Sequence, residues 1–454
     1  MTCFQLNLRQ ISSLSLAIKF LLKNRALKYT HFRNYLLMRV VLILTLHAQI
    51  TVVSYMMYRL TKDALSLGMM GLAEVIPAIG FSLISGHFVD IKEKRGLLFK
   101  CVIGYVLLSV FYLILSLHSF QAFAGLRLTT WLIYTGVFIG GILRAFVSPA
   151  AFALMGQLVP RKQYPNAITW SSTSWQAGAV IGPLIGGFLL GYGSFTFAFI
   201  TILCVQVIPI VAVLRIPRQP HNAPATKEPM MKSLGEGLNF VFRNQVILST
   251  LALDMFAVLF GGAVALLPVF ADEILKTGEI GYGWMRAAPG IGTVLTLMIL
   301  SFAPLKKNPG IKLFACIAGF GITTIVFGLC GEWGGTDTLF RILNFNVSGG
   351  FLLAFSMLLL GGALDGVSVV IRGTILQLYT PDNMRGRVAA VNTMFISSSN
   401  ELGAMESGLT AKLMGTVPAV VFGGVMTIVV VGVTYVAAPA LRVLTLNPPE
   451  KKDS

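Results

Sequence analysis

The sequence predicts an all-α membrane protein whose twelve transmembrane helices form two pseudo-symmetric halves of six. Three observations carry that expectation. Of 454 residues, 55% are hydrophobic and only 12% charged, about half the charged share of an ordinary soluble chain. Apolar runs of the about 20 residues that a helical crossing needs recur along the whole length. The basic residues fall between those runs in alternation. This composition excludes a soluble enzyme, a disordered chain and a secreted disulfide scaffold.

Taken in order, residues 1–34 read as a cytoplasmic amphipathic leader. The apolar run Ile11–Leu22 is broken by Lys19, and no small-residue cleavage site follows, so it is no signal peptide. The N-terminal half, 35–214, holds spans at roughly 35–58, 65–89, 97–118, 129–157, 168–191 and 195–214. A polar, Pro-containing cytoplasmic connector, 215–245, follows. The C-terminal half, 246–440, holds spans at roughly 246–271, 281–304, 311–330, 350–376, 388–413 and 418–440, and a cytoplasmic tail occupies 441–454.

Orientation follows from the basic residues, which favour the cytoplasmic side. Twelve spans put both termini on one side, and 26 of the 35 Lys and Arg fall there, among them Lys92, Lys100, Arg372, Arg385 and Arg387. Only Arg59, Lys62, Arg127, Lys276, Arg341 and Lys412 fall opposite, and Arg39, Arg144 and Arg286 lie inside spans. Both termini are therefore expected in the cytoplasm, with the chain in the inner or plasma membrane. The formal charge of +17 is then a topology signal and calls for no nucleic-acid partner. The five cysteines, Cys3, Cys101, Cys204, Cys316 and Cys330, match no metal-binding spacing and read as free, buried thiols.

The halves also read as copies of one unit. A shift of 221 residues lays Gly140-Gly141 on Gly361-Gly362, Leu143 on Leu364, Pro160 on Pro381, Gly182 on Gly403 and Gly187 on Gly408, without a gap. Most of these are Gly and Pro, which fix backbone geometry. Parallel six-helix repeats describe a secondary transporter whose halves rock about a central site.

The loop after the second span runs Gly86-His-Phe-Val-Asp90-Ile-Lys-Glu-Lys94-Arg95. It resembles the signature loop of the major facilitator superfamily, which implies a cytoplasmic gate at Gly86, Asp90, Lys94 and Arg95. Ile91 and Glu93 stand where that family has Arg and Gly, so a full charge relay is not implied. In the fifth span, Gly178, Gly182 and Gly186 share a helix face that lets a second helix approach. Pro183 permits a bend, and Gly187 closes a segment that resembles the superfamily's exporter-associated motif. Thr169 replaces one glycine of that motif. Arg144 and the stretches 159–167, 254–262, 380–387 and 399–403 are similar to the branch holding the enterobactin exporter and the macrolide efflux pumps. The resemblance runs from about Phe32 to Arg442.

Eight ionisable residues lie in spans: Arg39, Glu74, Arg144, Asp254, Arg286, Asp365, Glu401 and Glu406. Each costs about 2.5–3.5 kcal/mol at the bilayer centre, so each should face the interior or a partner. Glu74, Asp365 and Glu401 are the proton-coupling candidates, with Arg144, Arg286 and Asp254 as charge partners. The repeat register suggests that Arg144 pairs with Asp365, and Glu74 with Arg286, across the central axis. His47, Gln49, Trp170, Trp175 and Asn400 are candidates for the substrate cavity, the last beside the polar run Ser397–Ser399. No P-loop, HExxH or GxSxG occurs, so neither an enzyme nor any cofactor or metal is expected. The reading is a proton-coupled exporter of small amphipathic organic molecules, siderophore-like or drug-like. Its expected partners are that substrate, protons and the lipid bilayer, and it is expected to act as a monomer. An uptake symporter and a lipid flippase are the alternatives.

Overall fold

The computed structural model describes residues 26–218, 230–302, 308–335, 337–342, 345–381 and 384–444. Most of the expected leader, the middle of the connector and the end of the tail lie outside the described residues. Six long helices form the first half: α1 (Thr30–Thr61), α2 (Ala64–Ile91), α3 (Lys94–Ser116), α4 (His118–Leu158), α5 (Tyr164–Tyr192) and α6 (Phe195–Leu214). The connector contributes an amphipathic helix, α7 (Met230–Arg243). The second half holds α8 (Gln245–Phe260), α9 (Gly278–Phe302), α10 (Pro309–Gly328), α11 (Gly349–Tyr379), α12 (Arg385–Met414) and α13 (Thr416–Ala437). Helix α1 begins at Thr30, inside the expected leader, because nothing between Thr30 and Asn34 breaks a helix.

Among the described residues, eleven helical segments are long and apolar enough to cross a membrane, one of them α8 taken with its continuation to Ile274. At most half of each apolar window is buried within the protein, so every one keeps residues that the protein itself does not cover. Helix α12 has the length, at 30 residues, but carries Arg385, Arg387, Glu401, Glu406 and Lys412. Of these, Arg385 and Lys412 are exposed near the ends of the helix, while Glu401 lies toward its middle and is largely covered.

Short polar residues set the turns. Asp63, Ser194, Asn244 and Ser348 accept hydrogen bonds from the first-turn N–H groups of α2, α6, α8 and α11. Helix α4 breaks at Gly125, whose φ of 70° favours glycine. The span predicted at 246–271 is also broken. After Gly261 it continues as a 3-10 turn and a π turn to Ile274, where Pro268 interrupts the ladder. A hairpin of β1 (Thr338–Ile342) and β2 (Phe345–Ser348) lies between α10 and α11, in a stretch between two expected spans.

The internal repeat is visible in the packing. Gly141 of α4 lies against Glu74 and Pro77 of α2, and its counterpart Gly362 of α11 lies against Pro289 of α9. Leu143 covers Gly104, as Leu364 covers Gly319. Between the halves, Gly187 of α5 meets Gly283 of α9, and Gly408 of α12 meets Gly68 of α2. A Cβ on Gly408 would stand 2.8 Å from the Gly68 Cα, so both contacts bring helix backbones together. They lie toward the end of the bundle opposite Thr30 and Arg442, called the far end below.

Candidate functional site

At mid-depth, α2, α4 and α12 each bring one charge to the boundary between the halves. Gly141, three residues before Arg144, seats α4 on the α2 backbone at Glu74. Arg144 Nη1 then donates to Glu74 Oε1 at 2.6 Å and to Glu401 Oε1 at 3.1 Å. The Arg144 side chain keeps 40% of its surface exposed, Glu74 21% and Glu401 18%. This triad therefore lines an open cavity rather than a dry core, and one of its two bonds crosses between the halves.

A second triad lies within the C-terminal half. Arg372 of α11 bonds to Asp254 of α8 and stands 3.7 Å from Asp365 Oδ1. Arg372 and Asp254 are almost fully buried, at 7% and 8%, whereas Asp365 is 42% exposed. Arg372 is thus a buried helical residue and not the loop base suggested by its place near the end of a span. The expected Arg144–Asp365 and Glu74–Arg286 pairs do not form. Arg144 is taken by Glu74 and Glu401, and Asp365 stands nearest Arg372. Arg286 instead donates from Nη1 to the Tyr282 hydroxyl at 3.0 Å.

The cavity candidates divide. His47 of α1 packs edge-on against the half-exposed Trp175 of α5, with ring centroids 5.4 Å apart. It lies within electrostatic reach of Arg144 and Arg286. Gln49 is not a cavity residue. It is buried inside the first half, where Ser109 Oγ donates to it at 2.6 Å and Gln206 Nε2 lies 3.5 Å away. Trp170 packs against the apolar core, and the exposed Asn400 donates to Ile396 O on its own helix at 2.9 Å. Gly178, Gly182 and Gly186 face α1 at Ile43, His47 and Ala48, while Pro183 and Gly187 meet α9 at Gly283. One motif therefore serves two interfaces. Cys3 lies outside the described residues; of the other cysteines, Cys101 and Cys330 are buried, but Cys204 is exposed and Cys316 half-buried, and all four are free.

In the gate loop, the surroundings of Gly86 and the side chain of Asp90 lie outside what the structure describes. Lys94 opens α3, and Glu93, the departure from the family pattern, caps it by accepting from the N–H groups of Arg95 and Gly96. Arg95 donates to the Val213 and Leu214 carbonyls at 3.3 and 3.1 Å, which closes the C-terminus of α6.

The sequence reading missed a seam at the far end. Tyr55 and Arg59 of α1 donate to Asp272 Oδ1 at 3.1 and 2.9 Å, and Lys62 binds the other oxygen. Tyr58 donates to Glu273, and Arg59 stands 3.7 Å from Glu279. Tyr55 also stacks on Tyr282 of α9, with centroids 5.4 Å apart. Bonds that join the halves are seen at this seam and at the Arg144 triad. The available signal was Asp272-Glu273 opposite Arg59 and Lys62, but the orientation count weighed bases alone.

Two packed six-helix repeats with a charged central cavity agree with the sequence profile of the Major Facilitator Superfamily, which matches residues 35–404. The chain belongs to that superfamily. Among characterised relatives, the enterobactin exporter of Shigella boydii serotype 18 is 24% identical over 302 residues, 66% of this chain and 68% of that protein. An uncharacterised major facilitator transporter of Bacillus subtilis is 21% identical over 84% of this chain and 86% of its own length. Among solved structures, a D-xylose–proton symporter superposes with a TM-score of 0.67 at 13% identity, covering 92% of this chain and all of that one. A bacterial ferroportin homologue in an inward-facing state gives 0.63 at 14% identity, over 91% and 99%. These structures share the fold. The protein is a membrane transporter of the major facilitator type and not an enzyme.

Proposed function

We propose that this major facilitator protein is a proton-coupled exporter of small amphipathic organic molecules, siderophore-like or drug-like. In this reading it works as a monomer in the inner or plasma membrane with both termini in the cytoplasm. The far-end seam then faces outside, and its closure makes this an inward-facing state, open to cargo from the cytoplasm. The observation that carries the proposal is the Arg144 triad. One arginine serves two carboxylates, so one carboxylate is in surplus, and its occupancy by a proton alters the bond that joins the halves. A proton on Glu401 weakens its attraction to Arg144 and frees the halves to rock. Glu74 and Asp365 are the other carriers to be tested, and Asp90 is assigned to the cytoplasmic gate. The exporter relatives and the glycine motif of α5 support the outward direction.

The test is transport in proteoliposomes, using a cargo panel with and without an imposed pH gradient. Gradient-driven movement out of the compartment that represents the cytoplasm is the expected outcome. Co-directional movement of cargo and proton would favour an uptake symporter, and gradient-independent lipid scrambling would favour a flippase.

A further inference from the structure

Arg286 is one of three span charges that both triads leave over, with Arg39 and Glu406, and it is the one in electrostatic reach of Glu401. It lies half-buried in α9, and no Asp or Glu among the described residues comes within ion-pair distance of it. Its Nη1 donates to the Tyr282 hydroxyl. Tyr282 is itself packed in place, being fully buried and stacked on Tyr55, whose hydroxyl donates to Asp272. The guanidinium is thus fixed from one side. Its remaining nitrogens take no protein partner among the described residues, yet none is a buried orphan, so they open to the cavity. Arg286 also lies within electrostatic reach of His47 in the first half and Glu401 in the second.

A cation at mid-depth that no carboxylate contacts is costly, and a guanidinium held in place with free donors matches an oxyanion. We infer that the cargo is an organic oxyanion, carrying a carboxylate, sulfonate or phenolate, and that Arg286 receives this group. The half-exposed Trp175, packed against His47, offers an apolar surface for the rest of the molecule. The inference rests on reading the central cavity as the cargo site. If Arg286 served only to balance Glu401 through space, a negative group on the cargo would gain nothing.

The experiment uses the purified full chain in nanodiscs and matched triplets of a carboxylate, its carboxamide and the corresponding amine. The triplets are built on naphthyl, catechol and decyl scaffolds, and binding is read at equilibrium. On a scaffold that binds, the carboxylate should be favoured over the amide by about tenfold or more, the size of one charge-assisted hydrogen bond. Arg286→Gln should erase that preference, and Arg286→Lys should keep part of it, since an ammonium retains the charge but not the planar fork. The inference is overturned if amides or amines bind as tightly, if no carboxylate binds, or if monodisperse R286Q keeps the preference. Should R286Q fold poorly, the wild-type preference and R286K decide the matter. Gradient-driven transport of a neutral or cationic member alone would overturn this inference and leave the export proposal standing. Carboxylate binding that depends on Arg286, without any effect of a pH gradient on transport, would do the reverse.

Discussion

Each half of the protein contributes an arginine that holds two carboxylates, and the two clusters differ in everything else. Arg372 and Asp254 are sealed from solvent and belong to one half. Arg144 is 40% exposed, and its bond to Glu401 joins the halves. Equal stoichiometry therefore gives unequal expected roles. A sealed pair inside one rigid body keeps its geometry through a rocking motion and acts as structure. In the proposed cycle, a solvated pair across the moving boundary is remade each time, so it is the pair expected to exchange protons and sense conformation.

The largest effect that could break this comparison is on stability. Arg372→Ala strands Asp254 as a buried, unpaired charge and should cost about 3–5 kcal/mol, seen as a collapse in yield and a lower thermal midpoint in detergent. The paired change Asp254→Leu with Arg372→Met should recover most of that loss, since Asp365 is already partly solvated. An unchanged midpoint for Arg372→Ala would mean that the C-terminal cluster is not sealed. Gly408→Val places a side chain where Gly68 approaches and should cost about 1–3 kcal/mol by overpacking. That cost falls on the closed far end alone, so spin labels at Asp63 and Thr277 should report a longer distance.

Asp272→Asn removes one carboxylate from the seam. Its partners Arg59 and Lys62 are half-exposed, and such pairs contribute about 0.2–1 kcal/mol each. The same labels should show a minor, longer population rather than a full shift. Asn400→Ala should change neither transport nor stability beyond error, because that amide bonds only to its own helix. Loss of transport there would place the cargo against α12 and move the site toward the second half.

Much of the fold was legible because membrane spans, positive-inside loops and repeated glycines are local signals. The equivalence of Gly141 with Gly362 was readable as a register and is realised as matching helix contacts. The charged centre was legible only as a membership list. That Glu74, Arg144 and Glu401 belong together depends on how α2, α4 and α12 cross, which no spacing encodes. Arg372 was misplaced because a base near the end of a span reads the same whether it snorkels or turns inward. The seam was missed for a similar reason, since Tyr55 and Tyr58 look like ordinary interfacial aromatics until Asp272 and Glu273 are seen opposite. Gln49 looked like a cavity residue for want of its partners Ser109 and Gln206.

The central claim is that the Arg144–Glu401 bond couples proton occupancy to the motion of the halves. Glu401→Gln, reconstituted in proteoliposomes with a cargo carried by the wild type, tests it most directly. Gradient-driven transport should be lost while cargo exchange across the membrane continues, because exchange needs rocking but no net proton movement. Driven transport at the wild-type rate, or loss of both activities at normal expression and monodispersity, would contradict the account.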